Sequence, residues 1–229
     1  MRYAALQQRL PRFLWRHILA FEAAIGDAVE AFASRVPAGA RVLDAGAGES
    51  VHAKYFTHCR YTAVDLGIGD AAWNYTALDT MADLAALPFR PASFDACLNV
   101  VTLEHVPEPG RVLDEIARAM KPGAPLLMIV PHEWEVHQQP HDYFRYTRFG
   151  MEYLLAKSGF SGIEVTPVGG FFRLLSRRLL NGLQFFRGVW ILPAALVLAL
   201  PALLLPFFDS LDRERNFTLG YICTARKRC

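Results

Sequence analysis

The sequence predicts an α/β protein whose core is a doubly wound, mostly parallel β-sheet. Short apolar runs alternate with segments of helical periodicity, which is the order that parallel strands and crossover helices require. The first apolar run leads into a glycine-rich turn, Asp44-Ala45-Gly46-Ala47-Gly48. A turn of this kind borders the ligand crevice of such sheets. With 229 residues, we expect one domain over 1–229.

The chain is predicted to begin with an N-terminal helical cap, residues 1–37. Apolar residues recur at helical spacing from Leu6 to Ile25, and the run Pro37-Ala38-Gly39 ends the pattern. Pro11 is expected to divide the cap into two helices because proline lacks the amide hydrogen that an interior helix position donates.

Six strands are predicted after the cap, with helices such as Gly110–Met120 between them. Each is a short run rich in apolar residues, typical of strands in a buried sheet. The predicted strands are Arg41–Asp44, Tyr61–Leu66, Ala96–Val101, Leu126–Pro131, Gly162–Val168 and Leu219–Ala225. The last two are separated by an apolar, basic-flanked insertion, residues 171–216.

Charge and cysteine content narrow the class of function. The chain has 24 basic and 22 acidic residues, so its net charge gives no reason to expect a nucleic-acid partner. Its four cysteines form no Cys-x-x-Cys pair, and no secretory signal opens the sequence. We therefore expect a protein of the reducing cytoplasm.

The glycine-rich turn favours a nucleoside ligand without phosphate. Gly46 and Gly48 allow the backbone to turn tightly and to approach a ligand. Asp44 and Glu49 in the same turn would repel the pyrophosphate of a dinucleotide. A cationic nucleoside such as S-adenosylmethionine tolerates these carboxylates, and Asp65, at the end of the next strand, is placed to accept both ribose hydroxyls.

A series of motifs follows in order between about Ala38 and Phe160. They are Val42–Ser50, Val64-Asp65-Leu66, Ala82-Asp83-Leu84 ahead of Leu87-Pro88-Phe89, Ser93-Phe94-Asp95, Leu103-Glu104-His105-Val106 and Glu115–Gly123. In this order they resemble the Rossmann-like class I S-adenosylmethionine-dependent methyltransferases, in particular the bacterial type 11 group that includes the ubiquinone and menaquinone methylases. Ser50 departs from the pattern, because the family usually has a third glycine there.

The resemblance implies an enzyme with S-adenosylmethionine as cofactor and an antiparallel last strand. It implies that Asp44 and the backbone of Gly46 and Gly48 hold the methionine moiety, and that Asn99 faces the same end. Asp65 would bind the ribose, with Leu66 beside it in the site. The adenine edge would contact Asp83 and the amide of Leu84, and Asp79 is a rival to Asp83 for this contact.

The segment after Leu126–Pro131 is predicted to cover the methyl acceptor, since loops at the carboxyl ends of parallel strands line the crevice. Methyl transfer from a sulfonium is an in-line displacement, so a base is optional. If the acceptor is a hydroxyl, His141 or His137 is the candidate base, with Tyr143 and Arg145 shaping the pocket. The alternative is that Tyr143, Arg145 and Tyr146 only pack against and cap a helix that starts near Thr147.

No metal ion is expected in this loop. His137 and His141 stand four residues apart, but Pro140 lies between them and interrupts the helix that would present both to one ion. His105 is expected to fix the loop after Ala96–Val101.

The insertion predicts peripheral contact with an anionic membrane. Gly188–Phe208 is uncharged and about long enough to cross a bilayer, but a crossing would separate the last two strands. The helix predicted over Phe171–Arg187 has a polar face without acidic residues, typical of a membrane-surface helix. That face contains Arg173, Ser176, Arg177, Gln184 and Arg187. The alternative is a lid packed on the domain's own core.

Together these observations predict methyl transfer to a small-molecule, lipid-linked, quinone-like or cell-surface-glycan precursor acceptor at the inner face of the cytoplasmic membrane. The alternative is a non-catalytic membrane-associated protein that keeps the fold. The sequence leaves the acceptor open, and with it the choice among O-, N- and C-methylation.

Overall fold

The computed structural model describes residues 11–70 and 72–229. The chain divides into two compact units. The sheet unit consists of Asp27–Thr166 and Tyr221–Cys229, and the described part of the helical unit is 11–26 with 167–220. The predicted insertion lies in the helical unit. The first ten residues of the predicted cap lie outside the described residues.

Seven strands form one sheet in the order β3-β2-β1-β4-β5-β7-β6. They are β1 (Arg41–Ala45), β2 (Arg60–Asp65), β3 (Thr80–Met81), β4 (Ala96–Val100), β5 (Pro125–Pro131), β6 (Phe160–Val168) and β7 (Gly220–Lys227). β1 to β5 pair in parallel. The amide of Lys227, at the end of β7, donates to Ala124 just before β5, so β7 runs antiparallel to β5. The predicted doubly wound sheet with an antiparallel last strand is confirmed.

Six α-helices accompany the sheet in the described residues. They are α1 (Arg12–Ile18), α2 (Ala20–Ala33), α3 (Pro109–Ala119), α4 (Arg148–Lys157), α5 (Phe171–Gly182) and α6 (Ile191–Leu204). α1 begins directly after Pro11, and α4 begins at its N-cap Thr147, whose hydroxyl accepts the amide of Gly150 at 3.1 Å. The predicted helix start near Thr147 is confirmed. The division of the cap at Pro11 stays a prediction, because the segment before Pro11 lies outside the described residues.

The core of the sheet unit lies around its central strands. Residues of β4 and β5 are buried on both faces of the sheet, as expected where helices cover a parallel sheet. α3 contributes Val112, Leu113 and Ile116 to this core. β3 was not predicted, because a strand of two residues is too short to show an apolar pattern.

The helical unit is organised by two aspartates that cap the start of α5. Asp209 accepts the amides of Gly170 and Arg173, and Asp212 accepts the amide of Phe171 at 2.7 Å. These carboxylates satisfy amides that have no partner inside the helix and oppose the positive end of its dipole. They lie about 40 residues further along the chain, so the cap is a tertiary contact.

The predicted basic face of α5 is not free to meet a membrane. Arg173 pairs with Asp209 at 3.3 Å, and the buried Arg177 pairs with Glu22 at 2.9 Å. Ser176 is also buried, and its hydroxyl donates to the carbonyl of Ala202 at 2.5 Å. The prediction that Arg173, Ser176 and Arg177 face anionic lipid is therefore wrong, because this face is used inside the helical unit.

The exposed apolar surface of the helical unit lies on α6 instead. Ala194 and Ala202 are buried, while the opposite side of the helix is exposed. We call this side the α6 apolar face; it consists of Leu192, Leu196, Val197, Leu200 and Leu204, whose exposed fractions range from 52% to 77%. α6 belongs to a helical run, Gly188–Leu211, whose 24 residues are long and apolar enough to cross a membrane by length and composition alone.

Candidate cofactor and acceptor site

The glycine-rich turn after β1 is packed against the turn after β4. Gly46 has φ +92° and Gly48 has φ +52°, conformations that glycine adopts at little cost. A Cβ on Gly46 would lie 2.2 Å from Cγ2 of Thr102, and the Thr102 hydroxyl donates to the Gly46 carbonyl at 3.0 Å. Glycine is therefore required at position 46 both by the positive φ and by the closeness of Thr102.

Asp65 joins the end of β2 to this turn. Its carboxylate oxygens accept the amide of Gly48 at 2.9 Å and the amide of Gly67 at 2.8 Å. Each oxygen keeps a further lone pair for a ligand hydroxyl. Leu66 and Met81, which follow at the ends of β2 and β3, are exposed. A carboxylate beside exposed apolar side chains suits the ribose and the base of a nucleoside.

Asp44 lies beneath the turn, fully buried. Tyr61 on β2 donates its hydroxyl to this carboxylate. Burial raises the pKa of Asp44 to about 7, although the hydrogen bond from Tyr61 lowers it in part. The structure thus places Asp44 as a strut between β1 and β2, and its contact with a cofactor stays a prediction.

The other predicted cofactor residues lie along the same edge of the sheet. Asn99 is buried on β4 and donates to the carbonyl of Ala45 at 2.6 Å. Asp83 is exposed and caps a short helical turn that begins at the buried Leu84. Asp79 accepts the amide of Ala63 at 2.8 Å. Both Asp83 and Asp79 keep acceptor capacity, so the choice between them stays open.

The loop after β5 is held together by Arg145. Its guanidinium contacts both carboxylate oxygens of Asp142, at 2.6 and 2.8 Å, and donates to the carbonyls of Trp134 and Glu135. Burial opposes ionisation of Asp142, but its hydrogen bonds from the Arg145 guanidinium and the His137 amide lower its pKa to about 2. Arg145 therefore organises the loop itself, since these hydrogen bonds go to loop residues and not to the helix after Thr147.

His141 and Tyr143 lie together in this loop, with His141 Nδ1 3.2 Å from the Tyr143 hydroxyl. Tyr143 is exposed and His141 is partly exposed, so both are accessible to a ligand. His137 and His141 do not share a helix. His137 contacts Asp142 and Glu135 instead. Their assignment to the acceptor site stays a prediction.

Comparison with known proteins shows similarity to methyltransferases. Residues 43–128 fit the family model described as a methyltransferase domain. A Mycobacterium tuberculosis (strain ATCC 25177 / H37Ra) protein named an uncharacterized methyltransferase is 34% identical over 126 residues, which are 51% of this chain and 50% of that protein. A Mycobacterium sp. (strain KMS) protein of the same name is 33% identical over 108 residues, 44% and 42% of the two chains.

Residues 43–128 of this chain thus match a methyltransferase-domain family. The chain spans about half the length, or less, of the curated relatives it matches.

Solved structures of methyltransferases share the fold of this chain at low identity. The 1,6-didemethyltoxoflavin-N1-methyltransferase of Burkholderia thailandensis, solved with 1,6-didemethyltoxoflavin and S-adenosylhomocysteine, has a TM-score of 0.59 at 19% identity over 93% of this chain and 82% of that one. An S-adenosylmethionine-dependent methyltransferase of Mesorhizobium loti has a TM-score of 0.53 at 19% identity, over 88% and 96%.

The sheet unit also contains a cluster that sequence reasoning missed. Glu104 is fully buried, and His105 and His137 both approach its carboxylate. Burial raises the pKa of Glu104 to about 8 and lowers that of His105. As predicted, His105 fixes its loop: its Nδ1 lies 2.6 Å from the carbonyl of His141. No spacing rule joins Glu104 and His137, which are 33 positions apart, so only the fold could reveal the cluster.

Proposed function

We propose that this chain is an S-adenosylmethionine-dependent methyltransferase acting on a small-molecule acceptor. The observation that carries the proposal is the link from Asp65 to the amide of Gly48, which sets a carboxylate at the glycine-rich turn on the ligand edge of the sheet. The family model over residues 43–128 supports it, as does the S-adenosylhomocysteine in the Burkholderia structure of the same fold.

The residues at this edge fit such a cofactor. Asp65 accepts the ribose hydroxyls with its remaining lone pairs, and Gly46 and Gly48 let the backbone approach the methionine end. Asp83 or Asp79 takes the amino edge of the adenine. When bound, S-adenosylmethionine supplies an electrophilic methyl group on a sulfonium. It carries no phosphate that the acidic residues of the turn would repel.

The loop after β5 positions the acceptor in this proposal. In-line displacement gains most from holding the acceptor in place and from excluding water. Tyr143 contributes an exposed ring and hydroxyl, and His141 beside it takes the proton if the acceptor is a hydroxyl. The rigid pair of Asp142 and Arg145 keeps this loop in shape.

Calorimetry on the Asp65→Ala variant tests the cofactor site. Because hydrogen bonds to a charged group are worth about 1.5–3 kcal/mol each, we expect S-adenosylmethionine affinity to fall by at least about 10-fold. Asp70→Ala is the matched control, since Asp70 is an exposed aspartate of the same loop. Equal affinity in wild type and Asp65→Ala, with the fold intact, contradicts the assignment.

A labelled-methyl transfer assay against separate lipid and soluble extracts tests the activity and the class of acceptor. Label in a lipid-soluble product supports a quinone-like or other lipid-linked acceptor, and label in a polar product supports a soluble one. Tight binding of S-adenosylmethionine without any transfer favours the non-catalytic alternative that keeps the fold.

We also propose that the helical unit attaches the protein to one leaflet of the cytoplasmic membrane through the α6 apolar face. The support is the apolar composition of Gly188–Leu211 and its exposed large side chains. The run is bordered by the exposed Arg187 at one end and Arg213 and Arg215 beyond the other, as expected for a segment lying at a lipid surface. Burial of apolar area, rather than the paired arginines of α5, stabilises this contact.

Co-sedimentation with liposomes tests the attachment. A double substitution, Leu196→Glu with Leu200→Glu, is expected to release the protein, since each leucine loses about 1.5–3 kcal/mol of burial. The matched control is Phe149→Glu with Tyr153→Glu, which changes two exposed apolar residues on α4. Wild type that stays in the supernatant as a dimer shows instead that a second copy covers this face.

A further inference from the structure

We propose that Glu104, His105 and His137 form a binding site for one divalent transition-metal ion of the zinc class. Nε2 of His105 lies 3.6 Å from Oε1 of Glu104, and Nε2 of His137 lies 4.0 Å from the same oxygen. One ligand atom from each of the three residues lies within 4.8 Å of the others. The site is assembled by the fold from the short helix Leu103–His105 and the loop after β5.

No other side chain in the described part of the chain forms a hydrogen bond with the buried carboxylate. Glu104 is 0% exposed, and neither of its carboxylate oxygens has a hydrogen-bond partner there. Nε2 of His105 is also buried and lacks one. Burying such groups unpaired is costly, and native proteins rarely do it. A cation among the three side chains would satisfy them together.

The ring of His105 is oriented for a metal ion. Its Nδ1 lies 2.6 Å from the carbonyl oxygen of His141, which can only accept a hydrogen bond. Nδ1 therefore carries the proton, and the lone pair of Nε2 is directed at Glu104. A histidine ligand typically donates its other ring N–H in this way.

The ring of His137 has a matching support. Its Nδ1 lies 3.1 Å from the carbonyl of Glu135 and 3.5 Å from Oδ2 of Asp142. Asp142 also accepts the backbone amide of His137 at 2.8 Å and is clamped by Arg145. A carboxylate behind a histidine fixes the ring and raises its basicity toward a metal.

The donor set selects the class of ion. Two imidazole nitrogens and one carboxylate oxygen suit zinc and its first-row neighbours rather than magnesium or calcium, which prefer oxygen ligands alone. In a tetrahedral zinc site ligand atoms lie about 3.3 Å apart. The ligand atoms here lie within 4.8 Å of one another, so the widest pair needs to close by up to about 1.5 Å. The side chains of His105 and His137 are 11% and 25% exposed, which leaves access for the ion.

This arrangement leaves at least one coordination position for water or for an oxygen of a ligand, as in zinc sites with three protein ligands. The proposed ligands differ from the pair His137 and His141 considered in the sequence analysis. His141 contributes only its backbone carbonyl, which contacts His105, and His137 shares the site with His105. No metal was expected in the loop because only the spacing of His137 and His141 was considered. The proposal does not depend on methyl transfer, since metal binding is measured directly.

Zinc titration by calorimetry tests the site on the full chain, after removal of any histidine tag and dialysis against a chelator. We expect one ion per chain and a rise in Tm on zinc addition. Glu104→Gln and His137→Gln should each weaken binding by more than about 100-fold, and Asp142→Asn by about 10- to 100-fold. The control is His58→Gln, which removes an exposed histidine of the loop before β2 and should bind as wild type does.

Cobalt substitution distinguishes this site from the free cysteines. We expect visible cobalt bands without the thiolate charge-transfer absorption that a cysteine ligand gives. The proposal is overturned if wild type takes up no zinc, if the cobalt spectrum shows thiolate, or if Glu104→Gln binds as tightly as wild type. Should Glu104→Gln not fold, the partly exposed His137→Gln decides the question by the same measurement.

Discussion

Arg177 of α5 forms an ion pair with Glu22 of α2, at 2.9 Å between guanidinium nitrogen and carboxylate oxygen. Only 4% of the Arg177 side chain is exposed. The two residues are 155 positions apart, so the pair ties the start of the helical unit to its later helices. An arginine that a helical projection assigns to a membrane-facing surface is thus an internal strut.

Reversing the charge of Arg177 should destabilise the helical unit. Breaking a buried ion pair by changing one partner costs about 3–5 kcal/mol, and Arg177→Glu also places two carboxylates together. We expect a lower urea midpoint by circular dichroism. Arg187→Glu is the control, because Arg187 is exposed. Equal midpoints for the two variants would show that the pair contributes nothing to stability.

Gly46→Ala should reduce both stability and affinity for S-adenosylmethionine. The new methyl group would meet Thr102, and overpacking of this kind typically costs about 1–3 kcal/mol. Gly123→Ala is the matched control, since Gly123 has φ +76° with nothing within 4 Å of its Cβ position. Denaturant unfolding and calorimetry measure the two effects. Similar losses in both variants would mean that backbone strain alone is responsible.

Asp44 should make stability depend on pH. Because burial raises its pKa in the folded state to about 7, against 3.8 as its ordinary value, the native state holds the proton more tightly. The resulting contribution to the free energy of unfolding is fully present below about pH 4 and is lost as the pH rises through about 7. Urea unfolding from pH 4 to 8 should show the decline, and Asp44→Asn should flatten it. An unchanged slope in Asp44→Asn would assign the dependence to other groups.

His141→Ala should lower turnover while leaving S-adenosylmethionine affinity unchanged. Loss of a general base typically costs about 100-fold or more in rate, and the substitution keeps the backbone carbonyl that His105 uses. Single-turnover rates on the identified acceptor measure the effect, with His58→Ala as the control. Full turnover in His141→Ala would show that His141 is structural or that the acceptor needs no base.

The strands could be predicted because each is a local property of the chain. Pro125–Pro131 is a continuous apolar run, and Val42–Ala45 is buried throughout, as expected of strands in a sheet covered on both faces. The turn at Gly46 and Gly48 follows from backbone sterics, and Asp65 from its place at the end of the next strand. β3, at two residues, carries too little local signal to be predicted.

The partners of buried polar groups could not be predicted, because they are set by contacts between distant segments. Helical periodicity groups Arg173 with Arg177 on one face, but it does not report that Asp209 and Glu22 meet that face. Spacing within one loop pairs His137 with His141, but the fold pairs His137 with Glu104 and His105.

The sequence alone therefore determined the class of fold, the glycine-rich turn and the carboxylate at the end of β2, because these depend on residues close together in the chain. Only the tertiary structure decided which charges are internal, that α6 rather than α5 exposes its side chains to solvent, and that Glu104 lies buried between two histidines. The physical reason is that burial and pairing depend on what packs against a residue, and those neighbours come from anywhere in the chain.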